Sequence, residues 1–427
     1  MAGPEVVAAL LPGVGSRRRT HAQVFACTWF AYCASATIMP HLTRYYDLDL
    51  NLSDWQIGFL LATPALLNLF WQPLWGVMAD RVFGRTRTYR AGLLLAAASL
   101  GLFAFSYQLG GYGLLLCSAC LMMASFMLNG PLLTALILSF LGKDRAHEFG
   151  KIRVAGSISF ALTMILICPQ MVHLSHYFHW YARTGVFLAG CGFILAAFCC
   201  TFWDETQFEK QERPPLHSFL ELGKKWNLVA LYVSIFFVSM GSSAGFQYLG
   251  PYVGNRGFSE MFYSSLWLIG VSAEVMLSLM LQKIIRKVGL RRIMIIGFLA
   301  DAFRWVGLSQ ANSPYALMAL SSLHGPVVIG LFFVSAIYID SQCDRNIRST
   351  AQTLIFFSIF LGQISGYIMG SAIVSSYTEL VRSLAIQHGF FWFGIASLLG
   401  AVVCALFVTP EQPKEIIPTL PMDEMAC

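Results

Sequence analysis

Apolar windows of eighteen or more residues recur along almost the whole of this 427-residue sequence. As a helix, each window is long enough to cross a hydrocarbon core of about 30 Å. Because that core contains no water, a helix that bonds its own backbone groups is the favoured element there. The strands of a membrane barrel would show ten-residue alternation, which the sequence lacks. The sequence therefore predicts an all-α, multi-pass membrane protein.

We count twelve apolar windows and predict one transmembrane helix in each. The connections are short except for residues 204–225, a polar segment that contains Pro214 and Pro215. This segment divides the predicted helices into two bundles of six. The predicted helices lie at residues 22–43, 55–78, 88–108, 111–140, 148–171, 183–203, 226–251, 259–282, 291–311, 314–339, 350–376 and 388–409.

Lysine and arginine are concentrated on one side of the predicted membrane. Of the 28 such residues, 22 lie on the side of the N-terminus and four on the opposite side. Cytosolic loops carry the excess of positive charge, so both termini are predicted to be cytosolic. The predicted parts are a cytosolic N-terminus (1–21), an N-terminal six-helix bundle (22–203), a central cytosolic loop (204–225), a C-terminal six-helix bundle (226–409) and a cytosolic tail (410–427).

The net charge of +6 follows from this loop asymmetry and does not indicate nucleic-acid binding, because the basic residues are spread over many loops. We predict a protein of the plasma membrane, with a lipid bilayer as its surroundings. The run Arg17-Arg18-Arg19 before the first helix leaves an organellar membrane open as an alternative.

A charged element occurs twice. Residues 81–87 read RVFGRTR after the second predicted helix, and residues 286–292 read RKVGLRR after the eighth. Arg81, Gly84 and Arg87 each align with the same residue type 205 positions later. Equivalent loops in the two halves indicate an internal repeat of six helices, which is a transporter architecture.

With this element the sequence resembles the major facilitator superfamily. Its signature between the second and third helices, GxxxDRxGRxR, is matched with one inserted residue. In that family the cluster acts as a latch that holds one conformation closed, and a glycine such as Gly76 allows close helix approach. Anchoring of positive charge at the cytosolic face is the alternative reading. The matching residues are Gly76, Asp80, Arg81, Gly84, Arg85 and Arg87.

Further stretches resemble the nucleoside–proton symporter and phenylpropionate permease-like branch, a neighbour of the oligosaccharide–proton symporters. They extend over nearly the whole chain and include PLWGVMADR, FGKIRVAGSISF, IGVSAEV, RWVGL, LHG and TAQTL. The resemblance implies two pseudo-symmetric bundles and proton-coupled uptake of a small organic solute.

Three residues of the N-terminal half are candidates for substrate contact. Arg153 lies about 8 Å into the fifth predicted helix, where relatives use an arginine to contact substrate. A snorkelling arginine that reaches the cytosolic face is the alternative. Relatives carry an acidic residue in the fourth helix, whereas this chain has Thr134, preceded by Asn129. Neutral hydrogen bonds from these residues, or an anionic solute that meets Arg153, would explain the difference.

Four ionisable residues of the C-terminal half are candidates for proton coupling. Intramembrane ionisable groups usually face a cavity or a partner. Glu274 lies in the eighth helix, where a carboxyl group can carry a proton at neutral pH; a paired structural carboxylate is the alternative. Arg304 and His324 match residues of the proton network that the resemblance implies. Asp301 shares a helix face with Arg304 and is expected to neutralise it or hold it in place.

Aromatic rings inside the predicted helices offer stacking surfaces, and we take Trp267 as a further substrate-binding candidate. His173, His176 and His179 form an HxxHxxH pattern in an outer loop. No carboxylate or cysteine accompanies them, so no metal site is predicted. The sequence contains no phosphate-binding loop, so the driving force is expected to be a proton gradient without a cofactor.

The sequence therefore predicts a non-enzymatic secondary transporter, active as a monomer, for a nucleoside, a sugar or an organic or aromatic acid. An uncoupled facilitator with the same fold is one alternative. A membrane sensor or scaffold that transports nothing is the other.

Overall fold

The computed structural model of the protein describes residues 14–141, 149–167, 181–201, 222–343, 345–377 and 380–410. The elements in these ranges are helices, as the apolar windows predict, and we number them in chain order. They are α1 (Val14–Ile38, extended by short helical turns to Asp49), α2 (Asp54–Val77), α3 and α4 (sharing the segment Arg85–Phe126, with α4 continuing in Pro131–Leu141), α5 (Phe149–Leu166), α6 (Tyr181–Cys200), α7 (Trp226–Asn255), α8 (Glu260–Val288), α9 (Leu290–Leu308), α10 (Pro314–Ser321, His324–Val328 and Ser335–Gln342), α11 (Arg345–Ser376) and α12 (Arg382–Phe407).

The segment Arg85–Phe126 contains two helices. Its 42 residues would span about 63 Å as one straight helix, twice the thickness of a hydrocarbon core. The backbone leaves the helical conformation at Gly110 and Gly111, and Gly111 has a φ of 62°. This break separates α3 from α4 where the sequence predicts the connection between the third and fourth helices.

The described residues agree with the twelve predicted spans. Eight helical segments among them are long and apolar enough to cross a membrane, and Arg85–Phe126 is one of these. The helices α5 and α6 contribute the shorter apolar stretches Val154–Leu166 and Gly185–Cys200. The remaining predicted span corresponds to α9, a helix of 19 residues that carries Asp301 and Arg304.

Each half has its own apolar core. One cluster of buried side chains extends from Val24 to Cys200, and two others lie within residues 222–408. The halves meet where α2 packs on α11 and where α5 packs on α8. The domain boundaries of the sequence analysis stay a prediction. A passage between the halves would lie between these two helix pairs.

The repeated charged element has the same backbone conformation in both halves. Gly84 has φ 82° and ψ 157°, and Gly289 has φ 82° and ψ 155°. Each glycine precedes the first residue of the next helix. A π-helical turn, Met78–Val82, follows α2, and such a turn accommodates one extra residue. This turn accounts for the residue inserted in the family signature.

Replacing Gly289 or Gly84 with alanine is expected to lower the free energy of unfolding by roughly 1–3 kcal/mol, because this region of φ and ψ is almost closed to other residues. Gly76→Ala is the matched control, since no described atom lies within 4 Å of a Cβ at that position. Thermal unfolding in detergent micelles measures all three variants. Equal melting temperatures for Gly289→Ala and Gly76→Ala would contradict the expectation.

Candidate substrate and proton site

Glu274 connects the two halves at mid-membrane depth. It is the middle residue of α8, and its Oε1 accepts a hydrogen bond of 2.9 Å from Ser157 Oγ of α5. Both side chains are buried. Close packing fixes this part of α8, because a Cβ on Gly325 of α10 would lie 2.7 Å from the backbone nitrogen of Glu274. The structure thus places the predicted proton-coupling carboxyl at the α5–α8 interface.

Arg304 and His324 are in contact, as their candidate roles require. Arg304 Nη1 lies 3.4 Å from His324 Nδ1. A guanidinium group only donates hydrogen bonds, so this contact needs an unprotonated Nδ1 on the histidine. Arg304 is only 3% exposed, and its guanidinium carbon lies 4.8 Å from the centroid of Phe246 and 4.6 Å from that of Trp305. Cation–π attraction compensates part of the cost of this burial.

Trp267 belongs to an aromatic wall beside His324. Its ring stacks on Phe246 with centroids 5.3 Å apart and meets the His324 ring edge-on at 5.9 Å. Phe160 of α5, in the other half, lies 6.0 Å from it. The wall therefore reaches across the α5–α8 interface.

Asp301 is surrounded by neutral hydrogen-bond donors. Its carboxylate accepts hydrogen bonds from Ser242 Oγ at 2.9 Å, Ser397 Oγ at 2.6 Å and Trp305 Nε1 at 3.1 Å. These donors come from α7, α12 and α9 and surround a fully buried carboxyl. Asp301 is thus held by neutral donors that join three helices, while Arg304 turns towards His324.

The N-terminal candidates are described only in part. The backbone of Arg153 lies in α5, one turn before Ser157, and that of Asn129 ends a short turn between the two parts of α4. The side chains of both residues lie outside the described residues. Thr134 is half-buried in α4. Within the described part of the chain no cluster of His, Cys, Asp and Glu could hold a metal ion, and the three histidines of the outer loop lie outside that part.

The proposed latch is not packed against a neighbouring helix at Gly76. That glycine is exposed, and no described atom lies within 4 Å of a Cβ built there, so a close helix approach at Gly76 stays a prediction for another conformation. Arg81 and Arg87 are exposed and Arg85 is half-buried. The side chain of Asp80 lies outside the described residues. A role of these residues in closing the cytosolic end stays a prediction for another conformation.

The halves are joined by charges at the other end of the helices, opposite Gly84 and Gly289. Arg382, at the start of α12, donates to Asp47 Oδ1 at 2.6 Å and to the carboxylate of Asp54 at 2.8 Å. Tyr248 Oη donates to Asp54 at 2.8 Å, and Asn255 Nδ2 donates to Asp47 at 3.0 Å. Two carboxylates of the N-terminal half are thus held by three side chains of the C-terminal half.

A second ion pair has the opposite polarity. Arg44 of the N-terminal half lies 2.6 Å from Glu260, the first residue of α8. Nearby, Tyr263 Oη donates to the carbonyl oxygen of Pro40 at 2.5 Å. We call Arg44, Asp47, Asp54, Glu260 and Arg382 the interhalf charge cluster. The predicted orientation places this cluster at the outer face, and its contacts join the two halves at that end of the molecule.

Sequence reasoning missed the interhalf charge cluster. The sequence analysis counted Arg44 and Arg382 only among the four basic residues on the side opposite the N-terminus. One available signal was the position of Asp54 and Glu260, since each follows a serine that caps the N-terminus of its helix. Acidic residues are common there for local reasons, so the signal did not indicate pairing across the halves.

The family model described as MFS_1 like family matches residues 22–382. The chain belongs to this family. Its members are transporters and not enzymes, so the predictions of a major facilitator fold and of a non-enzymatic protein are confirmed. The protein is a multi-pass membrane transporter whose apolar helices lie in a lipid bilayer.

Proteins similar to this MFS_1 like chain match it over most of its length. The uncharacterized transporter YwbF of Bacillus subtilis is 23% identical, with 94% of this chain and 96% of the relative covered. The maltose permease of Geobacillus stearothermophilus is also 23% identical, over 94% and 97%. Among solved structures, that of the nucleoside transporter NupG has a TM-score of 0.74 at 18% identity, with 90% of this chain and 98% of NupG covered.

Proposed function

We propose that this protein is a proton-coupled symporter of a small organic solute, which works by alternating access as a monomer in the plasma membrane. The observation that carries the proposal is the hydrogen bond between Glu274 and Ser157, because it joins the halves at the depth where a carrier holds its cargo. His324, in contact with Arg304, is a second titratable group and lies beside the aromatic wall that contains Trp267.

Protonation of Glu274 changes this connection. A hydroxyl donates a stronger hydrogen bond to a carboxylate than to a neutral carboxyl group. Binding of a proton therefore weakens the bond that Ser157 makes across the α5–α8 interface, and release restores it. A proton on His324 Nδ1 likewise cannot coexist with the Arg304 contact, since both groups would then donate. Proton binding at either site thus favours separation of groups that are joined in this structure.

The substrate class is proposed from the wall and from the relatives. Trp267 and Phe246 offer a flat stacking surface. Arg153, Asn129 and Thr134 would supply polar contacts from the N-terminal half. Two similar proteins carry the names maltose permease and nucleoside transporter. We therefore propose a nucleoside, a sugar or an aromatic or organic acid as the solute.

Uptake by proteoliposomes tests the proposal. A panel of nucleosides, disaccharides and aromatic acids is offered with and without an inwardly directed proton gradient. We expect at least one solute to accumulate above its external concentration only when the gradient is present. Equal equilibration with and without the gradient would identify an uncoupled facilitator. Saturable binding without flux would identify a sensor or scaffold.

A further inference from the structure

The two interfaces between the halves are related by an internal repeat. Residues 156–159 of α5 read GSIS and residues 362–365 of α11 read GQIS, 206 positions later. The same separation relates Ser53 to Ser259, the residues that cap α2 and α8. It also relates Asn68 to Glu274. The counterpart of the Glu274–Ser157 pair at the α5–α8 interface is therefore Asn68 with Gln363 at the α2–α11 interface.

The two equivalent places differ in charge and in packing. At the α5–α8 interface a carboxylate and a hydroxyl are joined by a hydrogen bond. At the α2–α11 interface an amide faces a small cavity of about 30 Å³. Residues of α1, α2, α4 and α11 line this cavity, so both halves contribute to it. Among the described residues its lining carries no charged side chain, and the polar members are Tyr46, Asn68, Gln363 and Tyr367.

Asn68 is the lining residue with unmet hydrogen bonds. It is 1% exposed, and neither its amide nitrogen nor its amide oxygen has a partner among the described atoms. A buried polar group without a partner costs roughly 1–3 kcal/mol. An apolar residue would avoid this cost in the middle of α2, so the amide is best explained by a ligand that satisfies it.

We propose that this cavity binds one uncharged group of the transported solute, a group in which a hydrogen-bond donor and an acceptor lie side by side. A carboxamide side chain presents an adjacent donor and acceptor and pairs with such an edge through two hydrogen bonds. A lactam, a primary carboxamide or an amidine edge of a heterocycle has this pattern. Because the described lining carries no charge to pair with a carboxylate or an ammonium group, an uncharged group is favoured at this place.

The cavity is small, so it takes only the edge of one functional group while the rest of the solute lies between the halves. The inference rests on the proposed role as a solute carrier but not on proton coupling. Its test therefore measures binding alone, which an uncoupled facilitator would show equally well.

Binding is measured by calorimetry on the detergent-purified full chain with two matched probe pairs. One pair is uridine and 3-methyluridine, and the other is benzamide and N,N-dimethylbenzamide. In each pair, methylation removes the donor and keeps the acceptor. We expect the methylated probe to bind roughly ten- to a hundredfold more weakly in at least one pair. Equal binding within both pairs, or no binding in either, would overturn the proposal.

Two variants show whether Asn68 makes the distinction. Asn68→Leu is expected to abolish the difference within the pair while it keeps or raises the melting temperature, since it removes an unsatisfied amide. Asn227→Leu is the control, because its amide bonds to Tyr338 and Gln342 at the start of α7, a helix that contributes no described residue to the cavity lining. This control should lower stability and leave the probe difference unchanged. If Asn68→Leu retains the difference, the amide serves only bound water and the proposal fails.

Discussion

Glu274→Gln is expected to abolish accumulation driven by a proton gradient while exchange of solute across the membrane continues. Glutamine keeps the size of the side chain and still accepts the hydrogen bond from Ser157. It cannot bind and release a proton in the physiological range. Accumulation in proteoliposomes should therefore fall to the level reached without a gradient, and counterflow of labelled solute should remain within about threefold of wild type.

Asp340→Asn is the matched control for this variant. Asp340 is an exposed carboxylate near the end of α10 and lies away from the α5–α8 interface. We expect it to leave gradient-driven accumulation intact. If Glu274→Gln accumulates solute as well as Asp340→Asn does, the carboxyl group at position 274 is structural and coupling lies elsewhere.

The second large effect is expected at the interhalf charge cluster. Arg382→Ala leaves Asp47 and Asp54 without their shared cation, although Tyr248 and Asn255 still donate to them. Arg382 is partly exposed, with 28% of its side chain accessible, so solvent reduces the loss. We expect about 2 kcal/mol, which shifts the equilibrium roughly thirtyfold towards a conformation that is open at this end.

Spin-label distances measure this shift. Labels at positions 51 and 380, on a background without reactive cysteines, report the separation of the halves at the end where the cluster lies. Arg382→Lys should give an intermediate distribution, because an ammonium lacks the fork that reaches two carboxylates. Arg256→Ala should resemble wild type, since Arg256 bonds to Asn312 within its own half. A wild-type distribution in Arg382→Ala would show that the cluster does not hold the halves together.

The sequence predicts the fold because membrane solvation imposes a strong and local signal. An apolar window of sufficient length has little alternative to a helix, and the break at Gly110 and Gly111 falls at a gap between windows. The repeat around Gly84 and Gly289 was visible because both positions need a backbone that only glycine adopts readily. These features depend on neighbouring residues, so one sequence is sufficient to find them.

The site was predictable only for residues that are costly in lipid. Glu274, Arg304 and His324 stand out in apolar helices; the structure places Glu274 at the α5–α8 interface and the other two in contact beside the aromatic wall. The contacts that join the two halves depend on pairing over long separations. Ser157 lies 117 positions from Glu274, and Arg382 lies 335 positions from Asp47. A serine in a helix and an aspartate at a helix end are unremarkable locally, so no pattern in one sequence indicates such pairs.

Asn68 shows a related limit. A neutral amide carries a smaller cost in an apolar helix than a charge does, so it attracted no functional hypothesis. Its importance follows from the comparison of two interfaces, which requires the register of α2 against α8 and of α5 against α11. That register becomes certain only when the capping serines and the extra residue at Met78–Val82 are seen in the structure.

The most direct test of the central claim is whether solute flux moves protons. Proteoliposomes with a trapped pH-sensitive dye and no initial gradient are given a transported solute from outside. With proton symport, the lumen acidifies when wild-type protein takes up solute, whereas Glu274→Gln takes up solute without acidification. Solute entry with an unchanged lumenal pH in the wild-type protein would contradict it.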